Sequence, residues 1–279
     1  EAPTYDRTIT TLQKHGAKIV SIPLQTDGPD IEVLEHQLHQ HQPAFFYVIP
    51  DFQNPAGVTC SREKREQLIE LGRNHGYIYL EDAPYRALRY RGIEEPSLFE
   101  IAPDVVLHMS SFSKLIGPGP RMGYILGDSG IVDRVAEVAE RTYITPGLLS
   151  HGIIYEFCRA GHLPQQIERL KTLYKPLLDS TLAAVDQYLP EAESTKPDGG
   201  FFLSVTIPKP VTTMDVRNEA TSYNLSLSDG RGFFANGGGD NFLRIPYCAL
   251  TPEQIRDGVS RLAEIMRQLH PTANQKLTM

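Results

Sequence analysis

Along the first half of the chain, short continuous apolar runs alternate with stretches whose apolar residues recur at helical spacing. Pro43-Ala-Phe-Phe-Tyr-Val-Ile-Pro50 is apolar throughout rather than alternating, the pattern of a strand covered on both faces. Ser61–His75 predicts a helix: Ser61 suits the N-cap, Leu68, Ile69 and Leu71 lie on one side, and Gly76 suits the stop. Further strands are predicted at Ala17–Leu24, at Tyr77–Leu80 leading into Glu81-Asp82, at Val105–Met109 and at Arg121–Leu126. Helices between such strands act as crossovers of βαβ units, so the sheet is expected to be mostly parallel and flanked by helices. From Ser129 to about Leu189 the pattern is helical, with breaks near Thr145-Pro-Gly147 and Gly161. Beyond it lie strands at Gly199–Val205 and Asn241–Tyr247, a helix between them at Met214–Tyr223, and a last helix at Pro252–Leu269. The fold class is therefore α/β, with the parallel-sheet domain over residues 1–160 and a smaller C-terminal α+β domain over residues 161–279.

Composition narrows the function. The 279 residues are 41% hydrophobic and 22% charged, the make-up of a chain with a packed core rather than a disordered one. Lys and Arg number 27 against 34 Asp and Glu, a net charge of −7, and there is no basic block. That argues against nucleic acid as a partner, because such binding rests on neutralising phosphates. Cys60, Cys158 and Cys248 are widely separated and form no CxxC pair, so neither a zinc site nor a disulfide framework is expected, and a reduced, cytoplasmic setting is. No apolar run approaches the roughly 20 residues needed to span a bilayer. Nor do the nine histidines show metal-ligand spacing; His36, His39 and His41 read as a polar cluster at a helix end. Residue 1 is Glu, and the chain opens in the middle of a pattern, so a native N-terminal part carrying at least one sheet strand is expected to precede it.

In open parallel sheets, ligands bind outside the carboxyl ends of the strands. Asp51-Phe-Gln-Asn-Pro-Ala-Gly57 follows one strand, Glu81-Asp-Ala-Pro-Tyr85 the next, and Ser110-Ser-Phe-Ser-Lys114 with Gly117-Pro-Gly-Pro-Arg121 a third. Those ends offer an amide, a carboxylate with a phenol, and hydroxyls beside a lysine and an arginine. The collection suits an anionic, nitrogen-containing aromatic ligand that also has a carbonyl. Any one of these segments has an ordinary structural reading: Asn54-Pro as a turn start, Asp82 as a cap, Lys114 as a solvated charge.

Taken together, Gln53-Asn-Pro-Ala-Gly57, Glu81-Asp-Ala-Pro-Tyr85, Ser111-Phe-Ser-Lys114 with Arg121, and Leu243-Arg-Ile-Pro246 resemble the fold-type I, pyridoxal-phosphate-dependent aminotransferases of class I/II. The resemblance runs from Glu1-Ala-Pro-Thr-Tyr5 to the last helix and is nearest the kynurenine/2-aminoadipate, LysN-like branch. It implies the cofactor pyridoxal 5′-phosphate and a Lys114 aldimine, with Asp82 paired to the ring nitrogen. Tyr85 and Asn54 would face the ring's phenolic oxygen. Ser111, Ser113 and Arg121 would hold the phosphate, and Arg244, helped by Asn54, would clamp the substrate carboxylate. The catalytic set is thus Lys114, Asp82 and Tyr85, and no metal is implied. The implied reaction moves an amino group from an L-amino acid to a 2-oxo acid, 2-oxoglutarate foremost, in a homodimer. The same electron sink would also serve a β-lyase or a decarboxylase. An effector-sensing, aminotransferase-like domain of a transcription regulator is a third reading that these motifs leave open. The family's upstream phosphate-binding turn and ring-stacking aromatic are not among the 279 residues, so this chain alone is expected to hold cofactor weakly.

Overall fold

The computed structural model describes residues 1–270. In chain order the elements are α1 (Asp6–Lys14), β1 (Leu24–Gln25), β2 (Gly28–Pro29), α2 (Ile31–Leu38), β3 (Phe45–Val48), α3 (Arg62–His75), β4 (Ile78–Asp82), α4 (Leu98–Ile101), β5 (Val106–Ser111) and β6 (Gly123–Leu126). They continue with α5 (Ser129–Tyr143), α6 (Leu148–Arg159), α7 (His162–Tyr188), β7 (Glu193–Ser194), β8 (Phe202–Thr206), α8 (Thr213–Ala220), β9 (Phe242–Pro246) and α9 (Pro252–Leu269). The chain divides into two compact units that are discontinuous in sequence. The first holds Glu1, Ile22–Phe52 and Thr59–Thr172; the second holds Ala2–Ser21, Gln53–Val58 and the chain from Leu173 on.

The first unit is built on a four-stranded sheet ordered β3-β4-β5-β6. β3, β4 and β5 run parallel, and β6 returns antiparallel to β5. The crossover from β3 to β4 is α3, which forms where its boundary chemistry sits: the Ser61 hydroxyl accepts from the Lys64 N–H, and Gly76 closes the helix at φ 71°. Phe46, Val48, Tyr79 and Val106 from the strands pack with Leu68, Ile69 and Leu71 of α3 and Leu98 of α4 in one core. The carboxyl end of β3 is anchored by a buried ion pair. Arg65, with a fully buried side chain, donates to Asp51 at 2.8 Å and also to the carbonyls of Pro50, Cys60 and Pro96. Burial alone would lower the guanidinium's pKa; the charge and hydrogen bond of Asp51 outweigh that and hold it above its ordinary value.

One expected strand is much shorter than the sequence suggests. Of Ala17–Leu24 only Leu24 joins a ladder, in the two-residue pairing of β1 with β2. Pro23 makes only an isolated bridge, and its carbonyl accepts from the Asp30 N–H. α5 buries no residue, and Tyr124, Leu126, Val138, Tyr143, Leu148 and Leu149 are exposed.

The second unit carries an antiparallel sheet ordered β7-β8-β9, covered by α8 and α9. Its core joins Leu203, Val205 and Leu243 of the strands to Val216 of α8 and to Val259, Leu262 and Ile265 of α9. Both helices start with capping boxes, Thr212 with Asp215 and Thr251 with Gln254. Among the described residues, no helix is long and apolar enough to cross a membrane, and no three His, Cys, Asp or Glu side chains are grouped to hold a metal ion.

Candidate active site

In the first unit, β4 ends on two adjacent carboxylates that strand alternation sends to opposite faces. Glu81 is fully buried and accepts from the backbone N–H groups of Leu98 and Phe99 at 2.8 and 3.2 Å, while His108 Nδ1 lies 2.7 Å from it. Its charge is absorbed by the α4 N-terminus and an imidazole, so it fixes the strand end. Asp82, on the other face, accepts a hydrogen bond from the Tyr47 hydroxyl at 2.5 Å. Burial raises the Asp82 carboxyl above its ordinary value, with the Tyr47 hydrogen bond and the His108 charge working the other way. A carboxylate so placed is best stabilised by a cation brought to it.

Two residue groups lie beyond Asp82. Tyr85 is buried, with the Lys114 Nζ over its ring at 5.8 Å from the centroid. After β5, the chain turns sharply at Phe112, whose carbonyl takes the N–H groups of Leu115, Ile116 and Gly117. That turn presents a chain of donors: Ser111 Oγ to Ser113 Oγ at 2.9 Å, and Arg121 Nη1 to Ser113 Oγ at 3.4 Å. Arg121 itself sits at φ 54°, a left-handed conformation that costs an L-residue roughly 1–2 kcal/mol. Such an outlier at a cationic strand-end residue points to function. Arg121 borders a cavity of about 510 Å³ lined also by Gly119, Tyr143, Pro146, Gly147, Ser150 and His151. Two hydroxyls and a guanidinium suit a phosphate; an acceptor that burial makes costly to ionise suits a protonated ring nitrogen. These side chains fit a pyridoxal phosphate.

The second unit brings together Asn54 and Arg244. Arg244 Nη1 donates to Asn54 Oδ1 at 2.9 Å, and the guanidinium carbon lies 4.6 Å from the Phe202 ring centroid and 4.8 Å from that of Phe233. Aromatic faces on this slot hold the planar fork by cation–π attraction and fix its orientation. The segment around Asn54 is equally determined. Gln53 donates through Nε2 to the Pro3 carbonyl at 2.7 Å and accepts from the Ala56 N–H at 2.8 Å. Gly57, at φ +76°, has the Phe202 carbonyl oxygen 2.4 Å from where a Cβ would stand. Only glycine fits there.

Each residue singled out in the sequence therefore has a definite place. Asp82, Tyr85, Ser111, Ser113, Lys114 and Arg121 are in the first unit, and Asn54 and Arg244 pair in the second. Sequence reasoning missed Tyr47, His108 and the aromatic pair around Arg244. Tyr47 carried a usable signal, being the one side chain with a polar tip in the apolar run 43–50, where burial demands a partner. Gly237-Gly-Gly239 leads into β9 rather than into a helix, the wrong context for a phosphate cradle.

A mostly parallel sheet with such side chains beyond its strand ends places the chain among α/β proteins with a polar site at the strand ends. The chain belongs to the aminotransferase class I and II family, whose model matches residues 1–262. It is 31% identical to the 2-aminoadipate transaminase of Thermus thermophilus over 96% of this chain and 69% of that protein. It is also 31% identical to aromatic-amino-acid aminotransferase 1 of Thermococcus litoralis, over 96% of this chain and 66% of that one. Among solved structures, LysN, the α-aminoadipate aminotransferase from Thermus thermophilus complexed with N-(5′-phosphopyridoxyl)-L-leucine, superposes with a TM-score of 0.92 at 30% identity, covering 97% of this chain and 71% of that one. The chain thus spans about two thirds of the length of these relatives.

Proposed function

We propose that this aminotransferase-family chain transfers an amino group from an L-amino acid to a 2-oxo acid, 2-oxoglutarate foremost, with pyridoxal 5′-phosphate as cofactor. The observation that carries the reading is the single strand-end cluster of the first unit: the Lys114 amine beside the buried Tyr85 ring, the Ser111–Ser113–Arg121 donor chain, and the half-buried carboxylate of Asp82 at the end of the neighbouring strand.

When bound, the cofactor supplies an aldehyde for the amine and a ring that accepts the electrons left by Cα–H cleavage. Everything else is the task of the chain's own residues. Lys114 Nζ would hold the cofactor by its aldehyde and, when displaced by substrate, would serve as the base that takes the proton from Cα. Asp82 holds a proton on the ring nitrogen by charge pairing. Tyr85 would orient the ring through its phenolic oxygen. Ser111, Ser113 and Arg121 bind the phosphate, the arginine by charge-assisted hydrogen bonds. Arg244 receives the α-carboxylate of donor and acceptor alike, which is why one slot serves both half-reactions.

The names of the relatives favour 2-aminoadipate and aromatic amino acids as donors. The number of exposed apolar side chains on β6, α5 and α6, Leu148 and Leu149 at 78% and 80% among them, supports a homodimer that would cover them. Borohydride reduction of cofactor-loaded protein, followed by peptide mapping, tests the site, and label on any residue other than Lys114 refutes it. Glutamate formed from 2-oxoglutarate with either donor tests the reaction. Release of ammonia and pyruvate instead would assign a β-lyase.

A further inference from the structure

Asp82 is fixed to the sheet by its backbone, but its side chain needs a separate restraint. Among the described residues, the Tyr47 hydroxyl is its one hydrogen-bond partner, at 2.5 Å from Oδ2. The contact spans neighbouring parallel strands. Tyr47 is in register with Leu80 and reaches two residues further along β4, a diagonal that a long rigid phenol can cover. Glu81 cannot substitute, because its oxygens are engaged on the other face with α4 and His108.

We propose that Tyr47 is a positioning residue for the reaction: its hydroxyl ties Oδ2 of Asp82 and leaves Oδ1 free for the cofactor's ring nitrogen. The inference rests on the cofactor site proposed above and assigns to it a residue on a different strand. A hydroxyl donating to a carboxylate favours its charged form. The other titratable group acting on Asp82 is His108 on β5, which favours the charged form in the same sense. A phenylalanine at position 47 would keep the ring and its packing and delete only this bond.

The test compares Tyr47→Phe with the parent in two states. In cofactor-free protein, the Asp82 carboxyl, assigned by its loss in Asp82→Asn, is titrated by carbon-13 NMR, and Tyr47→Phe moves the midpoint upward. In loaded protein, kcat falls by roughly ten- to a hundredfold, the scale of a lost hydrogen bond to a charged group, while KM for the amino acid stays within about twofold. The acid limb of the pH–rate profile moves upward with it, and the loss disappears in the Asp82→Asn background. Should Tyr47→Phe fail to fold, 3-fluorotyrosine at position 47 keeps the shape and strengthens the donor, and the midpoint then moves downward. An Asp82 midpoint indifferent to both substitutions, with Lys114 still taking the borohydride label, overturns the Tyr47 role and leaves the site standing. Absence of label at Lys114 overturns the site and the role together.

Discussion

Arg244→Lys separates a positioned fork from a mere positive charge. Lysine keeps the charge but loses the plane, and with it contact with two aromatic faces now 4.6 and 4.8 Å from the guanidinium carbon. It also cannot hold Asn54 Oδ1, at present 2.9 Å from Nη1, while presenting two parallel N–H groups to a carboxylate. One of the two charge-assisted bonds to substrate is lost, about 1.5–3 kcal/mol, which is roughly a ten- to hundredfold rise in KM. Two weakened cation–π contacts, about 0.5–1 kcal/mol each at this exposure, lower the stability of the second unit. The assay is steady-state kinetics with an amino acid and, in parallel, with the corresponding amine that has no carboxylate. KM rises for the amino acid and for 2-oxoglutarate, and the parent and variant handle the amine alike. A KM for the amino acid unchanged within twofold, or an equal loss for the amine, refutes the carboxylate role. A fall in melting temperature alone would leave Arg244 a structural cation.

Three further perturbations follow from the same geometry. Asp82→Asn removes a carboxyl whose folded pKa lies above its ordinary 3.8, so in cofactor-free protein ionised Asp82 is a liability. The stability it contributes is present below the unfolded value and lost as pH rises through the folded one; denaturation midpoints measured upward from pH 4 therefore decline less in the variant than in the parent. Asp51→Ala leaves the fully buried Arg65 without its counter-charge and costs about 3–5 kcal/mol, read from urea unfolding of the first unit; a loss below about 1 kcal/mol contradicts the pairing. Gly57→Ala and Gly76→Ala share a positive φ, yet a Cβ meets the Phe202 carbonyl at 2.4 Å in the first and open space in the second. Gly76→Ala costs about 1 kcal/mol and Gly57→Ala clearly more, so equal melting temperatures would contradict the close approach.

Much of this was legible because it is local. The Ser61 cap and the Gly76 stop of α3, the break at Gly161 and the bounds of α9 each depend on a few adjacent residues. Asp82 and Lys114 stood out through position at strand ends, which periodicity locates. What remained hidden depends on contacts between residues far apart in sequence. Asn54 and Arg244 are 190 positions apart, and no spacing rule could pair them. The Phe202–Phe233 slot joins two segments with the same difficulty. The 53–58 segment follows a strand of the first unit but packs with the second, through Thr195 Oγ1 on the Ala56 carbonyl at 2.6 Å and Gly57 against Phe202. Strand direction was also beyond reach for β6: the run Arg121–Leu126 reads as a strand whichever way it points, and only its ladder with β5 sets it antiparallel.

The Glu81-Asp82 pair shows why a sequence of two acids at a strand end holds more information than either alone. Two adjacent carboxylates pointing the same way would repel, and burying both would require two cations. Alternation removes the conflict by sending them to opposite faces, where each meets a different environment. Glu81 meets two backbone donors and His108, a complete set of partners that leaves it nothing further to bind. Asp82 meets one hydroxyl and is half-buried, so its ionised form is under-compensated within the protein. The first acid therefore anchors the strand end rigidly enough to aim the second, and the second keeps an unmet demand for positive charge. In the proposed site, a protonated ring nitrogen would meet that demand. By the same coupling, the carboxylate that burial disfavours alone would hold the ring proton more strongly than a solvated one.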